Sequence, residues 1–205
     1  MPRKTTILIL ILALVTGILL FLAVSEGQKP KAPETSTTPT QGQVPKTATV
    51  FFSPQSVDLS TGAATPTSSV DILMDTGGSE VVGAQLELQY DPKSLTNVRL
   101  TPGNDVNSFF GPNVVILFNE VTPTTGRISF AIAISPDEKT KKGIGRIASL
   151  NFSRVFNAQG TTTVSFLDKT IVTILGEDDS ILKETMPLNI ILTQTQQFTP
   201  PATTQ

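Results

Sequence analysis

The chain of 205 residues has no cysteine, no histidine and no tryptophan, and its single tyrosine is Tyr90. Without cysteine there is no disulfide and no thiolate nucleophile. Without histidine there is no imidazole base, and a Cys/His zinc site is excluded with both. The lack of cysteine is compatible with an exported protein that does without disulfides, and it does not fix the compartment. Basic charge is also scarce: from Ala48 onward ten Lys and Arg stand against fifteen Asp and Glu, a net of −5. A nucleic-acid binder needs basic side chains to displace counterions from phosphates, so nucleic acid is excluded as a partner.

What is present divides the chain into four parts. Residues 1–27 carry Arg3 and Lys4 ahead of an uncharged apolar run from Ile7 to Val24. As a helix this run spans roughly 27 Å, close to the hydrocarbon thickness of a bilayer. It is expected to enter the membrane, with the basic end cytoplasmic and everything after Ser25 on the far side. Two outcomes stay open, an uncleaved anchor and a signal peptide cut near Ala23-Val24-Ser25; the run is longer than the roughly 7–15 apolar residues usual in a signal peptide. Residues 28–47, rich in Pro, Thr and Lys, read as a disordered spacer, and residues 196–205 as a disordered tail of similar composition. The folded domain is expected over residues 48–195.

Within it, Val70 to Pro92 reads as two alternating strands around a Gly77-Gly78 turn, a hairpin ended by Asp91-Pro92. In the first strand Val70, Ile72 and Met74 alternate with Asp71, Leu73 and Asp75. In the second, Val82, Ala84, Leu86, Leu88 and Tyr90 point inward, leaving Gly83, Gln85, Glu87 and Gln89 on the other face. Further strands are expected at Thr49–Phe52, Leu95–Thr101, Val114–Val121, Arg127–Ile134, Gly145–Val155, Thr162–Leu167, Ile171–Leu175 and Leu188–Thr193, separated by Gly, Pro and Asp turn signals. The phenylalanines at 51, 52, 118, 130, 152, 156 and 166 are expected in the core. So many short strands without interleaved helices argue for an all-β sandwich of two antiparallel sheets.

These parts resemble the cohesin domains of bacterial cell-surface and cellulosome scaffolding proteins. The similarity runs from Thr47 to Thr195 through VDILMD, the glycine turn, VVGAQLELQYDPKSL, VRLTPG, RISFAIAI, GIGRIASLNFSRV, TTTVSFLD and LNIILT, with the Gly-x-Gln-x-x-Leu-x-Tyr-Asp-Pro stretch the most distinctive. The resemblance implies a jelly-roll β-sandwich of about nine antiparallel strands whose activity is binding without catalysis. It implies a partner, a calcium-loaded helical dockerin, on a flat sheet face. By position, the contacts are Gly83, Gln85, Glu87 and Gln89.

Other motifs have plainer readings beside them. Glu177, Asp178 and Asp179 offer oxygen ligands for calcium, but their spacing is not that of an EF-hand loop and a solvated turn accounts for them. No other metal site is read, and no cofactor. Asn151-Phe152-Ser153 fits the glycosylation sequon inside a strand. Glu87, Glu120 and Asp168 are the carboxylates a glycosidase would need, with nothing in their local sequence to mark them as a catalytic pair. Phe109-Phe110 is the one loop pair able to stack on a sugar. The leading expectation is a non-catalytic, extracytoplasmic protein-binding module, membrane-tethered or secreted after cleavage. The alternatives are a carbohydrate-binding module of related jelly-roll type that takes a polysaccharide, and a structural or adhesion surface domain.

Overall fold

The computed structural model describes residues 44–60 and 66–192. The apolar N-terminal segment, most of the spacer and the tail lie outside the described residues. Among the described residues there are twelve strands and no helix: β1 (Ala48–Ser53), β2 (Ser56–Asp58), β3 (Thr67–Asp75), β4 (Val81–Gln89), β5 (Leu95–Pro102), β6 (Val114–Thr122), β7 (Arg127–Ile134), β8 (Ile144–Arg154), β9 (Thr161–Phe166), β10 (Ile171–Ile174), β11 (Leu182–Met186) and β12 (Leu188–Ile191). One sheet has five strands in the order β11-β1-β3-β8-β5. The other runs β2-β12-β9-β4-β7-β6, with β10 beside β4.

Period-two alternation places the core between these sheets. Val70, Ile72 and Met74 look inward from one sheet, and Leu86, Leu88, Ile128, Phe130 and Ile132 from the other, all with at most 1% exposure. Burying one such side chain stabilises the fold by about 1.5–3 kcal/mol. Phe52 packs against Phe166 across the core with ring centroids 5.0 Å apart.

Four expectations change. First, β3 and β4 are not a hairpin. β3 lies between β1 and β8, and β4 lies between β7 on one side and β9 and β10 on the other, so the glycine turn crosses from sheet to sheet. Both strands already have partners on each edge, and each sends its apolar face into the core from an opposite side. Asp75 Oδ1 accepts from Gly77 N at 2.9 Å, and Gly77 has φ +58°. A Cβ there would stand 2.5 Å from the Thr47 carbonyl oxygen, so the crossing requires glycine.

Second, Val82 is not in the core. Ile174 pairs with Val81 and Thr173 with Gly83, leaving Val82 as the extra residue of a bulge; Val81 takes the buried position and Val82 is half-buried. Third, a bulge between Ile116 and Phe118 turns Phe118 to the outer face, Phe51 also lies on an outer face, and Phe156 is exposed. Fourth, β2 and β11 extend the ten strands read along the sequence to twelve, where the resemblance implied about nine, and the pairings β1–β11 and β2–β12 are parallel.

Candidate functional site

Four neighbouring strands, β10, β4, β7 and β6, present one outer face whose composition follows from register. Residues opposite one another in a ladder share a face, so the pairings define rows across the sheet. The first row is Thr173, Gly83, Ala133 and Val115; the second is Ile171, Gln85, Ala131 and Phe118. The third is Glu87, Ser129 and Glu120, and the fourth Gln89, Arg127 and Thr122. Apart from Thr173 and Gln85 the first two rows are thus small or apolar, and the other two are polar.

In the apolar half, Gly83 and the two alanines form a low floor. Its walls are Ile171 and Thr173 on one side and Leu117 and Phe118 on the other, enclosing a depression of about 140 Å³. Leu117, at the β6 bulge, is 64% exposed. At Gly83 a Cβ would come within 2.9 Å of the Ile132 carbonyl oxygen, so the floor tolerates no side chain there.

In the polar half, Glu87 is 6% exposed. Its Oε2 accepts Arg127 Nε at 3.1 Å, Arg127 Nη2 at 2.8 Å and Ser129 Oγ at 2.8 Å, while Oε1 accepts Gln85 Nε2 at 3.3 Å. Burial raises the Glu87 carboxyl, but these hydrogen bonds and the Arg127 charge outweigh it and hold it below the ordinary glutamate value. A carboxylate held ionised in this way accepts hydrogen bonds and is poorly suited to donate a proton. On its backbone side Glu87 N donates to Thr170 Oγ1 at 3.1 Å. Gln89 Nε2 donates to the carbonyls of Tyr90 (3.1 Å) and Thr125 (2.7 Å), tying the β6–β7 turn to the end of β4.

Of the four residues read from sequence, then, Gln85 is half-exposed toward the apolar half and Gly83 is floor. Glu87 is covered, and Gln89 holds a turn. Sequence reading missed the contributions of β6, β7 and β10. Ala131 and Ala133 were visible as small residues alternating with the core positions of β7, whereas Phe118 depends on a bulge and Ile171 on a pairing between distant parts of the chain.

The remaining candidates lie elsewhere. Phe109 and Phe110 pack edge to face, 4.9 Å apart at 79°. Phe110 is 1% exposed and Phe109 is half-buried against the core, so the loop presents no pair of free rings to a sugar. Glu177, Asp178 and Asp179 are exposed in the β10–β11 turn, and among the described residues no three His, Cys, Asp or Glu groups gather as a metal site. Asp91 caps the turn that follows β4. Its Oδ1 accepts from Lys93 N at 2.9 Å and its Oδ2 from Ser94 Oγ at 2.6 Å, and these bonds lower its pKa.

The family model of the cohesin domain matches residues 55–188. The chain belongs to the cohesin domain family. Solved cohesins share its two-sheet architecture. CaCohA2 of Clostridium acetobutylicum, in complex with a CaDoc0917 variant, is 21% identical with a TM-score of 0.56, over 72% of this chain and 100% of that one. The OlpC cohesin in a type I cohesin–dockerin complex of Clostridium thermocellum is 15% identical with a TM-score of 0.55, over 72% and 94%. The third ScaC cohesin of Acetivibrio cellulolyticus, in complex with the ScaB dockerin, is 15% identical with a TM-score of 0.53, over 71% and 99%. No curated protein matches this cohesin domain significantly in sequence.

Proposed function

We propose that the chain is a non-catalytic binding module that docks a dockerin-like helical protein on the outer face of β10, β4, β7 and β6. The observation that carries this reading is the walled apolar floor at Gly83, Ala131 and Ala133. Its walls belong to β10 and β6, three strand spacings apart, or about 14 Å. That width admits an α-helix, whose diameter with side chains is about 10–12 Å. Helix backbones approach closely only over small residues, and Gly83 and the alanines supply them.

The polar half supplies register. Arg127, with 42% of its side chain exposed, is held by Glu87 and keeps further N–H donors for a partner carbonyl or carboxylate. The jelly-roll description, the domain span 48–195 and the extracytoplasmic site belong to the same reading. The apolar N-terminal segment either tethers the domain to the membrane through the spacer or is cleaved to release it.

The test is capture of dockerins by the immobilised full chain, with and without calcium. The dockerins of the Clostridium and Acetivibrio complexes serve as probes. Gln85→Lys, which places a charge at the edge of the floor, is expected to weaken capture. Unchanged capture by Gln85→Lys and Ala131→Arg together would contradict the face.

A further inference from the structure

The outer face of the five-stranded sheet carries one row out of keeping with its neighbours. Ladder register sets Met186 beside Phe51, Phe51 beside Leu73 and Leu73 beside Arg146, across β11, β1, β3 and β8. Met186, Phe51 and Leu73 are apolar and half-buried on a face turned away from the core. The row spans three strand spacings, about 14 Å. Both its ends are held. Gln55 Nε2 donates to Met186 Sδ at 2.8 Å. At the other end Arg146 Nη1 donates to Ser149 Oγ at 3.3 Å, while Nη2 donates to Ser108 Oγ at 3.2 Å and pairs with Asp105. The stripe is therefore built before anything lies on it.

Width and charge say what fits. The row on one side holds Glu184, Thr49 and Asp75, with Ile144 its one apolar member, and the row on the other holds Ser53, Asp71 and Ser149. Along β1 and β3 these rows lie two residues away, about 6.6 Å from the stripe. A helix, about 10–12 Å across with its side chains, would cover them and bury their carboxylates. A stripe one row wide with hydrogen-bonding groups along both edges fits instead a chain of sugar rings, whose C–H faces are apolar and whose rims are polar. Arg146 is neutralised by Asp105, whereas Asp71, Asp75 and Glu184 form no ion pair among the described residues, so the edges are acidic. Asp71 and Asp75 flank Leu73 on opposite sides of the stripe, about 13 Å apart along β3, too far to share one metal ion. In a β-1,4-linked glycan successive rings are turned over, so amino groups on them point alternately to one edge and to the other, as these two carboxylates stand.

We infer that this stripe binds a β-1,4-linked glycan whose sugars carry free amino groups, with its rings on Met186, Phe51 and Leu73 and its ammonium groups at Asp71 and Asp75. The site lies on the sheet opposite the proposed docking face and does not rest on it. The full chain, isotope-labelled at its amide nitrogens, is titrated at slightly acidic pH with the β-1,4-linked glucosamine hexamer, with the N-acetylglucosamine hexamer and with hexalysine. The glucosamine hexamer is expected to shift the amide signals of Phe51, Asp71, Leu73 and Asp75 in a saturable way. The acetylated hexamer has the rings without the charge and hexalysine the charge without the rings, and each is expected to bind roughly tenfold or more weakly, on the scale of one charge-assisted contact. Asp71→Asn and Asp75→Asn together keep the oxygens that accept from Ser149 Oγ and Gly77 N, so the fold is retained while the preference for the amino sugar over its acetylated form is lost. Phe51→Leu is expected to weaken both glycans and to leave hexalysine as it was. Equal affinity for the glucosamine hexamer and for either of the other probes overturns the site, and so do glycan shifts that leave Phe51 and Leu73 unmoved. Ala131→Arg leaves this titration unchanged while removing dockerin capture, so failure of the stripe and failure of the docking face give different results.

Discussion

Glu87 and Arg127 meet at one oxygen: Oε2 of the carboxylate accepts both Nε, at 3.1 Å, and Nη2, at 2.8 Å, with Ser129 Oγ as a third donor. β4 and β7 are directly paired there, Glu87 opposite Ser129 and Gln89 opposite Arg127, so the sheet register brings the acid under the guanidinium. The pair fixes a cation at the polar end of a face whose other end is apolar.

Arg127→Met removes the partner of a nearly covered carboxylate. Half of the arginine is in water, so the loss is smaller than for a fully buried pair: about 1–3 kcal/mol of stability. Urea unfolding of Arg127→Met and of the double variant Arg127→Met, Glu87→Gln measures it, and the double variant is expected to recover part of the loss.

The same pair sets an acid-side dependence. The folded pKa of Glu87 lies below its ordinary value of 4.5, so its contribution is present above that value and is lost as pH falls through the folded pKa. Thermal melts from neutral pH down through the carboxylate range are expected to show Tm falling below about pH 4.5. In Glu87→Gln part of that fall is absent. Asp91, held down by Ser94 and Lys93 N, titrates in the same direction and accounts for some of what remains.

Gly77→Ala is expected to cost about 1–3 kcal/mol, because the new Cβ meets the Thr47 carbonyl oxygen at 2.5 Å in a left-handed backbone. Gly78→Ala, with φ +87° but open space around it, is expected to cost less. Denaturant midpoints of the two variants separate the steric part from the conformational part.

Much of the sandwich was readable because the signals were local. Period-two alternation located ten of the twelve strands, and Arg127–Ile134 was bounded at both ends as it stands in the structure. β11, LKETM, has no alternating apolar face because it is a sheet edge, and β2 is three residues long. The partner of each strand was not readable. A glycine turn between two alternating runs has the same local chemistry whether it closes a hairpin or crosses between sheets, and only the competition of β1, β8, β7 and β9 for the edges of β3 and β4 decides. The candidate face was partly legible for the same reason. Alternation along β4 separated Gly83, Gln85, Glu87 and Gln89 from the core, but Glu87 is covered by side chains from β7, and the floor is completed by Ala131, Ala133, Phe118 and Ile171 from other strands.

Arg154 is 1% exposed and donates from Nη1 to the carbonyls of Leu59, at 2.8 Å, and Leu192, at 3.1 Å. It thereby joins the segment after β2 to the segment after β12. Arg154→Lys keeps the charge without the planar fork and is expected to cost about 1.5–3 kcal/mol. Faster amide exchange in β12 and around Leu59 than in β3 would show that the join between these segments had loosened.

An arginine at position 131 would fill the Gly83, Ala131 and Ala133 floor and displace a dockerin-like helix from it, and capture of dockerins by the Ala131→Arg chain is the deciding measurement. With circular dichroism unchanged, the affinity is expected to fall about thirtyfold or more, the scale of an interface hot spot. Thr101→Arg, on the outer face of the opposite sheet, is expected to leave it as it was. Capture that survives Ala131→Arg, or that Thr101→Arg removes instead, would mean that the partner docks elsewhere.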